Sequence, residues 1–325
     1  MKRLYIPMVI LFVLLLASCS DGSPEDKSDQ KAPSERSNTF TQNDQTFEII
    51  PLYKEIQEYT GLAKDNPSMN TKKKYKEKVV EPFQKMASEK KIDIGSYYST
   101  YFEPTTDIQQ LEENTTQLLN NQDKINKYIK ESLLSSAKLL PGNNKTIFIM
   151  PFNPEYTDSI QEMEGVVAFN LSKDAILVQL VPSFKEIALK YTIAREYNHT
   201  IAREYGDDNS SSLLSPIIYE GKADSFAAKV YPEHNVPWIK PLAAEKEKIV
   251  IDEIRENNDS FDMHIYNGLF DGDPSKGIPR WSNYKIGYKI TQSFIKNNPD
   301  VSIDEWTKLD YNEILKGSDY SHLLE

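Results

Sequence analysis

Cysteine and histidine are both scarce in this chain. Its 325 residues contain one cysteine, Cys19, and four histidines. A single cysteine leaves no intramolecular disulfide, so a folded domain must be held together by its core. The hydrophobic fraction of 39%, with 19 tyrosines and 13 phenylalanines, supplies enough apolar surface for a core of that kind.

Basic residues are in the minority. The chain has 38 Lys and Arg against 49 Asp and Glu, which gives a formal net charge of −11. It has no basic patch with interleaved aromatic residues, and an acidic surface is repelled by nucleic-acid phosphate and by anionic lipid. These features argue against nucleic-acid binding. They also imply that any membrane attachment comes from a lipid and not from the protein surface.

Long apolar runs are missing except near the N-terminus. A basic start precedes an apolar run at 8–16, and the sequence L-A-S-C follows at 16–19. The run is shorter than the roughly 20 residues of a comfortable membrane span, so residues 1–18 are predicted to be a cleaved secretory signal. L-A-S-C resembles the bacterial lipobox, in which Cys19 becomes the lipidated first residue. The alternative is an ordinary signal with an incidental cysteine. We expect an extracytoplasmic protein, lipid-anchored to the bacterial cell membrane.

The remaining chain divides by composition into a tether and a domain. Residues 19–45 are rich in Ser, Asp, Lys, Asn and Pro, which predicts a disordered tether. A single domain is predicted for residues 46–325. Apolar spacing predicts helices at about 70–90, 106–120, 122–139, 182–206 and 213–230, and strands at 146–150, 165–169 and 175–181. The C-terminal part is predicted to be mostly helical, with a turn-rich surface loop at 267–279. The expected fold class is therefore α+β, mainly helical, with a small sheet.

The most informative motif lies in the middle of the helix predicted at 182–206. Residues 195–199 read R-E-Y-N-H, which is the zinc-protease pattern H-E-x-x-H with arginine in the first place. In the intact pattern two imidazoles four residues apart bind Zn²⁺ from one helix face, and the glutamate activates the metal-bound water. Arg195 offers only donors and cannot ligate a metal. The six residues at 192–197 recur at 200–205, an offset of about two helical turns, so the copies share a similar face.

A following helix adds two acids. Glu220 lies 21 residues after His199, and Asp224 lies one turn later on the same face. A gluzincin site takes its third ligand and an orienting acid from such a helix. The alternative for both helices is an ordinary salt-bridged surface. His234 and His264 lie downstream without helical spacing to His199, and the Asp-Gly-Asp sequence at 271–273 reads as a turn because the rest of a calcium-binding loop is absent.

Three motifs occur in the order and spacing of one bacterial family. They are I-A-R-E-Y-N-H at 193–199, Y-E-G-K-A-D-S-F at 219–226 and W-S-N-Y-K-I-G-Y-K-I at 281–290. Over about residues 140–320 the chain resembles the family described as predicted zinc-dependent proteases, a domain of unknown function. The resemblance implies a zincin-like metallopeptidase fold with bound Zn²⁺. It also implies roles for individual residues: Glu196 as general base, His199 and Glu220 as metal ligands, Asp224 as the acid that orients a ligand, and Tyr284 or Tyr288 as a transition-state hydrogen-bond donor.

Arg195 departs from the family pattern and leaves two main hypotheses. In the first, the protein is a zinc metallopeptidase that binds its metal through His199 and Glu220. In the second, it is an inactive pseudoprotease that keeps the cleft as a binding or regulatory module for a peptide or protein. Loss of an imidazole and gain of a fixed positive charge both act against Zn²⁺. We expect the guanidinium to pair instead with Glu220, Asp224 or both. A third class, a solute-binding lipoprotein, fits the tether but not the order of motifs.

Overall fold

The fold is built on one five-stranded mixed sheet, in a computed structural model that describes residues 37–66, 71–206, 212–258 and 261–324. The strands are β1 (Asn38–Gln42), β2 (Gln45–Pro51), β3 (Lys145–Pro151), β4 (Val166–Asn170) and β5 (Ala175–Leu180). Their order across the sheet is β1-β2-β3-β5-β4. β2, β3 and β5 are parallel, whereas β1 pairs antiparallel with β2 and β4 pairs antiparallel with β5. β4 is therefore an edge strand.

Thirteen α-helices surround this sheet within the described ranges. They are α1 (Tyr53–Asp65), α2 (Thr71–Tyr75), α3 (Glu81–Glu89), α4 (Ile108–Asn120), α5 (Gln122–Leu139), α6 (Thr157–Gln161), α7 (Glu186–Glu204), α8 (Leu214–Val230), α9 (Ala244–Glu256), α10 (Met263–Asp271), α11 (Ser282–Asn297), α12 (Ile303–Lys308) and α13 (Tyr311–Lys316). A π-helical segment at Lys76–Val80 joins α2 to α3, and short 3₁₀ turns lie at Tyr98–Tyr101, Pro154–Tyr156, Pro237–Ile239 and Ser321–Leu324.

Helices cover both faces of the sheet because the central strands are apolar on both sides. In β3, Ile147 and Ile149 pack into a core shared with α5, α7, α8 and α11. The alternate residues Phe148 and Met150 pack into a second core with α1, α3 and α4. This division follows from the two-residue side-chain period of a strand. The large core thereby fixes α7, which carries R-E-x-x-H, against β4 and β5.

Most of the predicted elements are confirmed. The structure is mainly helical α+β with one small sheet, and β3, β4, β5, α4, α5 and α8 lie within a few residues of their predicted places. α7 begins at Glu186, later than predicted, because residues 181–185 form a turn in which Lys185 N–H bonds to the Glu164 carbonyl. β1 and β2 were not predicted. The sheet begins inside the stretch that composition assigned to the tether, because Phe40 and Phe47 stack as a cross-strand pair.

The predicted surface loop at 267–279 is wrong in its first part. Residues up to Asp271 belong to α10, since the apolar spacing of Leu269 and Phe270 turns that face toward the core. Only residues 272–279 form a turn, closed by a bridge between Asp273 and Ile278. The Asp273 carboxylate accepts from the Ser275 N–H at 2.9 Å, so the last two residues of Asp-Gly-Asp lie in the predicted turn, whereas Asp271 ends α10.

The predicted signal peptide and Cys19 lie outside the described residues. Within the described ranges, none of the helices combines the length and apolar character needed to cross a membrane.

Candidate functional site

The candidate site forms where α7 packs against α8. α7 is buried on almost every side, and Glu196 and His199 are each only 2% exposed. The four-residue spacing of Arg195 and His199 puts them on one helix face, as predicted. That face meets Glu220 and Asp224, which share a face of α8. The two helices therefore bring together the five residues that the motifs singled out.

Arg195 occupies the centre of this cluster. Its Nη1 donates to Glu196 Oε1 and its Nη2 donates to Glu220 Oε2. Its Nε lies 3.7 Å from Asp224 Oδ1. The expected pairing of the guanidinium with the acids of α8 is therefore found, and Glu196 of the same motif joins it. One cation thus bridges three carboxylates.

His199 is turned toward Glu220 as well. Its Nε2 lies 3.2 Å from Glu220 Oε2, the oxygen that also accepts from Arg195. The Tyr219 ring stacks on the imidazole at 4.1 Å between centroids. Both residues implied as metal ligands are thus engaged with each other inside the protein.

Asp224 lies at the back of the cluster and is fully buried. Its Oδ1 accepts from Trp238 Nε1 and from the Tyr191 hydroxyl, each at 3.0 Å. The implied role of orienting a ligand imidazole is not seen, because the carboxylate is held by these two donors and faces Arg195. Sequence reasoning missed both donors. Tyr191 could have been predicted from the sequence, since it lies four residues before Arg195 on the same helix face.

α11 closes the third side of the site. The Tyr284 hydroxyl lies 3.3 Å from Arg195 Nη2, and the guanidinium carbon is 5.2 Å from the ring centroid. α11 approaches α8 this closely because Gly221 and Gly287 face each other, and a Cβ on either would overlap the backbone of the opposite helix. The glycines of the second and third motifs thus place Tyr284 beside Glu220.

The remaining sequence candidates lie elsewhere. Tyr288 is on α11 but not among the side chains that line the cleft described below. His234 Nε2 lies 3.3 Å from Glu164 Oε2. His264 lies in the first turn of α10, where its N–H donates to the Asp262 side chain. Of the two tyrosines that the resemblance implied as donors, only Tyr284 reaches the site.

Burial and the central cation set the protonation of the three carboxyls. Burial alone would raise the pKa of Glu220, but the facing Arg195 and His199 lower it to about 2. Burial raises the pKa of Glu196 and of Asp224, and Arg195 offsets only part of each shift. Burial would lower the pKa of Arg195, but its acidic neighbours raise that pKa well above the usual value. A firm ion pair between Arg195 and Glu220 therefore dominates the cluster.

A cleft of about 280 Å³ opens in front of this cluster. It is lined by Arg195, Glu196, His199, Glu220 and Tyr284, by aromatic side chains and by every residue of β4. The edge strand therefore forms one wall, and the cluster lies at the bottom. Sequence reasoning missed this wall, because an edge strand is defined by pairing partners distant in sequence.

The residues present do not fit a zinc ion. Across the described part of the chain, no group of three or more His, Cys, Asp or Glu side chains is placed to hold a metal. The two remaining ligand candidates face each other, and the third position holds a guanidinium that already satisfies Glu220. Zn²⁺ requires lone pairs at about 2 Å from three or four ligands. The two expected ligands, His199 and Glu220, therefore lack the third protein ligand that a zinc site requires.

The site thus combines R-E-x-x-H on α7 with E-x-x-x-D on α8. The chain belongs to the family described as Predicted Zn-dependent protease (DUF2268), whose model matches residues 125–316. The match begins in α5 and ends in α13, so it contains all three motifs and the strands β3, β4 and β5. No curated protein and no solved structure matches the chain.

Proposed function

We propose that this protein is a catalytically inactive member of its family that binds an extended peptide in the cleft. The observation that carries the proposal is the double contact of Arg195 with Glu196 and Glu220. The would-be general base and a would-be ligand are both held by the same guanidinium. Neither carboxylate is available to activate water or to bind metal while these contacts stand.

Arg195 takes over the structural task of a metal in this proposal. A zinc ion would hold residues of α7 and α8 together, and here the guanidinium holds carboxylates of the same two helices. A planar guanidinium suits this position because it can serve two carboxylates at once. The cleft is thereby kept in shape without the ion that the reaction would require.

The binding surface in this proposal is the outer edge of β4. The Val181 N–H donates to the Gly165 carbonyl at 3.1 Å, and the Leu171 N–H donates to the Ala175 carbonyl at 3.0 Å. In an antiparallel pair, residues whose N–H and C=O bond to the partner strand alternate with residues whose N–H and C=O point away from it. The backbone N–H and C=O groups of the odd-numbered residues of β4 therefore point toward β5. The N–H and C=O of Ala168 then point to the outer edge. An extended peptide can pair with an edge of this kind.

Retention of peptides by the immobilised protein tests this function. We expect the wild-type chain to retain acetylated, amidated octapeptides from a randomised pool and to leave them uncleaved when Zn²⁺ is added. Ala168→Pro removes the central outward N–H and leaves the ladder to β5 intact. It should weaken retention about tenfold or more, because a hydrogen bond is lost and the proline ring enters the groove.

The control is Ala168→Ser, which keeps the N–H and should retain peptides like the wild type. Slower hydrogen exchange at the Ala168 amide in the presence of the pool would locate binding without any substitution. Absence of retention would refute the binding role. Cleavage of the pool that stops in Glu196→Gln would instead identify a peptidase and refute catalytic inactivity.

We also propose that the protein is anchored outside the cytoplasm by a lipid on Cys19. The support is the apolar run followed by L-A-S-C at 16–19. Cys19→Ala should move the protein from the membrane pellet to the soluble fraction after cell fractionation, because the acidic protein surface is repelled by anionic lipid and gives little attachment of its own. If Cys19→Ala stays in the pellet, the lipid anchor is wrong, whereas the proposed binding role is unaffected.

A further inference from the structure

We propose that Arg203 anchors a carboxylate of the bound ligand at one end of the cleft. This inference rests on the proposed function, because it names the ligand group that the cleft selects. The group is a carboxylate of a peptide, from an acidic side chain or from the C-terminus.

Arg203 lies on the cleft face of α7. It follows His199 by four residues and Arg195 by eight. With a rise of 1.5 Å per residue, its Cα lies about 12 Å along the helix from that of Arg195. Arg203 is the counterpart of Arg195 in the second copy of the six-residue repeat. The repeat therefore presents two guanidinium groups to one groove.

The two arginines differ in what they bond. Arg195 is engaged by three carboxylates. Arg203 donates through Nε to the Tyr219 hydroxyl at 3.3 Å, and it forms no ion pair among the described residues. Tyr219 in turn donates to the His199 carbonyl at 3.3 Å, which fixes the phenol. Arg203 is thus held at Nε, and its two terminal nitrogens form no hydrogen bond or ion pair among the described residues.

Among the described residues, three acids of the same two helices are already engaged. Glu204 accepts from Lys145 and, at 3.0 Å, from the Asn143 N–H. Glu196 and Glu220 are paired with Arg195. None of these three carboxylates pairs with Arg203, and its side chain lines the cleft.

Arg203 marks one end of the cleft. Together with Tyr101 and Asn170 it lines both the cleft and an adjoining cavity of about 640 Å³. The Tyr101 ring stacks on Phe169 of β4 at 3.9 Å between centroids. A peptide along β4 would therefore reach, at its Asn170 end, a half-buried guanidinium between aromatic walls. A guanidinium fork in such a place recognises a carboxylate through two parallel hydrogen bonds.

Matched octapeptide pools test this inference on the full chain. One pool carries a central Glu, the second carries Gln at that place, and both are acetylated and amidated. A third pool carries Gln and a free C-terminal carboxylate. The wild type should retain the Glu pool or the free-acid pool about tenfold or more over the Gln pool, and the preferred pool identifies the source of the carboxylate. Arg203→Gln should remove the preference, so that this variant retains the three pools about equally.

Arg203→Lys keeps the charge but not the fork, and it should retain part of the preference. Arg255→Gln, on the exposed side of α9, is the matched control and should behave like the wild type. Equal retention of the three pools by the wild type, or a preference that survives in Arg203→Gln, would overturn the carboxylate inference and leave the proposed function in place. Retention of no pool by the wild type would overturn both.

Discussion

Replacing Arg195 with methionine is expected to lower the free energy of unfolding by about 3–5 kcal/mol at neutral pH. The substitution keeps an apolar stem of similar length but removes the one described cation that contacts all three acids, Glu196, Glu220 and Asp224. A buried carboxylate without a partner carries its full desolvation cost. Urea unfolding of wild type and variant, monitored by tryptophan fluorescence, measures the difference.

The same variant should change the pH dependence of stability. In the wild type the pKa of Glu220 is lowered to about 2 from a usual 4.5, so its contribution is present above 4.5 and is lost as the pH falls toward 2. Without Arg195, burial becomes the dominant cause and raises that pKa. Glu220 then costs stability as the pH rises. The gap between wild type and Arg195→Met should therefore be widest at neutral pH and narrow markedly near about pH 3.

A double variant separates charge from packing. Arg195→Met with Glu220→Gln replaces the firm ion pair by two neutral side chains, so it should recover a large part of the lost stability at neutral pH. A loss below about 1 kcal/mol in the single variant, or an equal loss at both pH values, would contradict the account of Arg195 as the central cation.

Replacing Arg195 with histidine is expected to raise zinc affinity by several orders of magnitude. The change supplies the missing imidazole of H-E-x-x-H and removes a charge that opposes the ion. A guanidinium about 4 Å from Zn²⁺ costs on the order of 8 kcal/mol at an effective dielectric of 20. Elemental analysis should find about one zinc per chain in Arg195→His and none retained by the wild type, and competition with a chelator measures the affinity.

Two controls define which residues complete the zinc site. Arg195→Met removes the charge without adding a donor, so it should bind zinc much more weakly than the histidine variant. Arg195→His with Glu220→Gln should lose most of the gain, because α8 then supplies no carboxylate ligand. Stoichiometric zinc in the wild type would show that His199 and Glu220 suffice to bind the metal. It would refute the proposal that Arg195 takes the structural place of zinc.

Much of the local structure was predictable from the sequence. The β-branched run at 146–150 predicted β3, and the apolar spacing with its flanking turns predicted α4, α5 and α8. Pairing of Arg195 with the acids of α8 was expected from charge and helical spacing, and it is found. β1 and β2 were missed because the polar composition before residue 46 concealed a hairpin that is stabilised by contacts with β3 and α5.

The sequence by itself determined that one motif helix carries Arg195, Glu196 and His199 on a shared face, since the 3.6-residue period fixes that geometry locally. It also determined that Arg195 cannot be a metal ligand. Only the tertiary structure decided that Glu196 joins Glu220 around Arg195, that Tyr284 rather than Tyr288 reaches the cluster, and that β4 and Arg203 line the cleft. The physical reason is that these contacts depend on the close packing of α8 and α11 at Gly221 and Gly287 and on the strand order of the sheet, which join residues far apart in the chain.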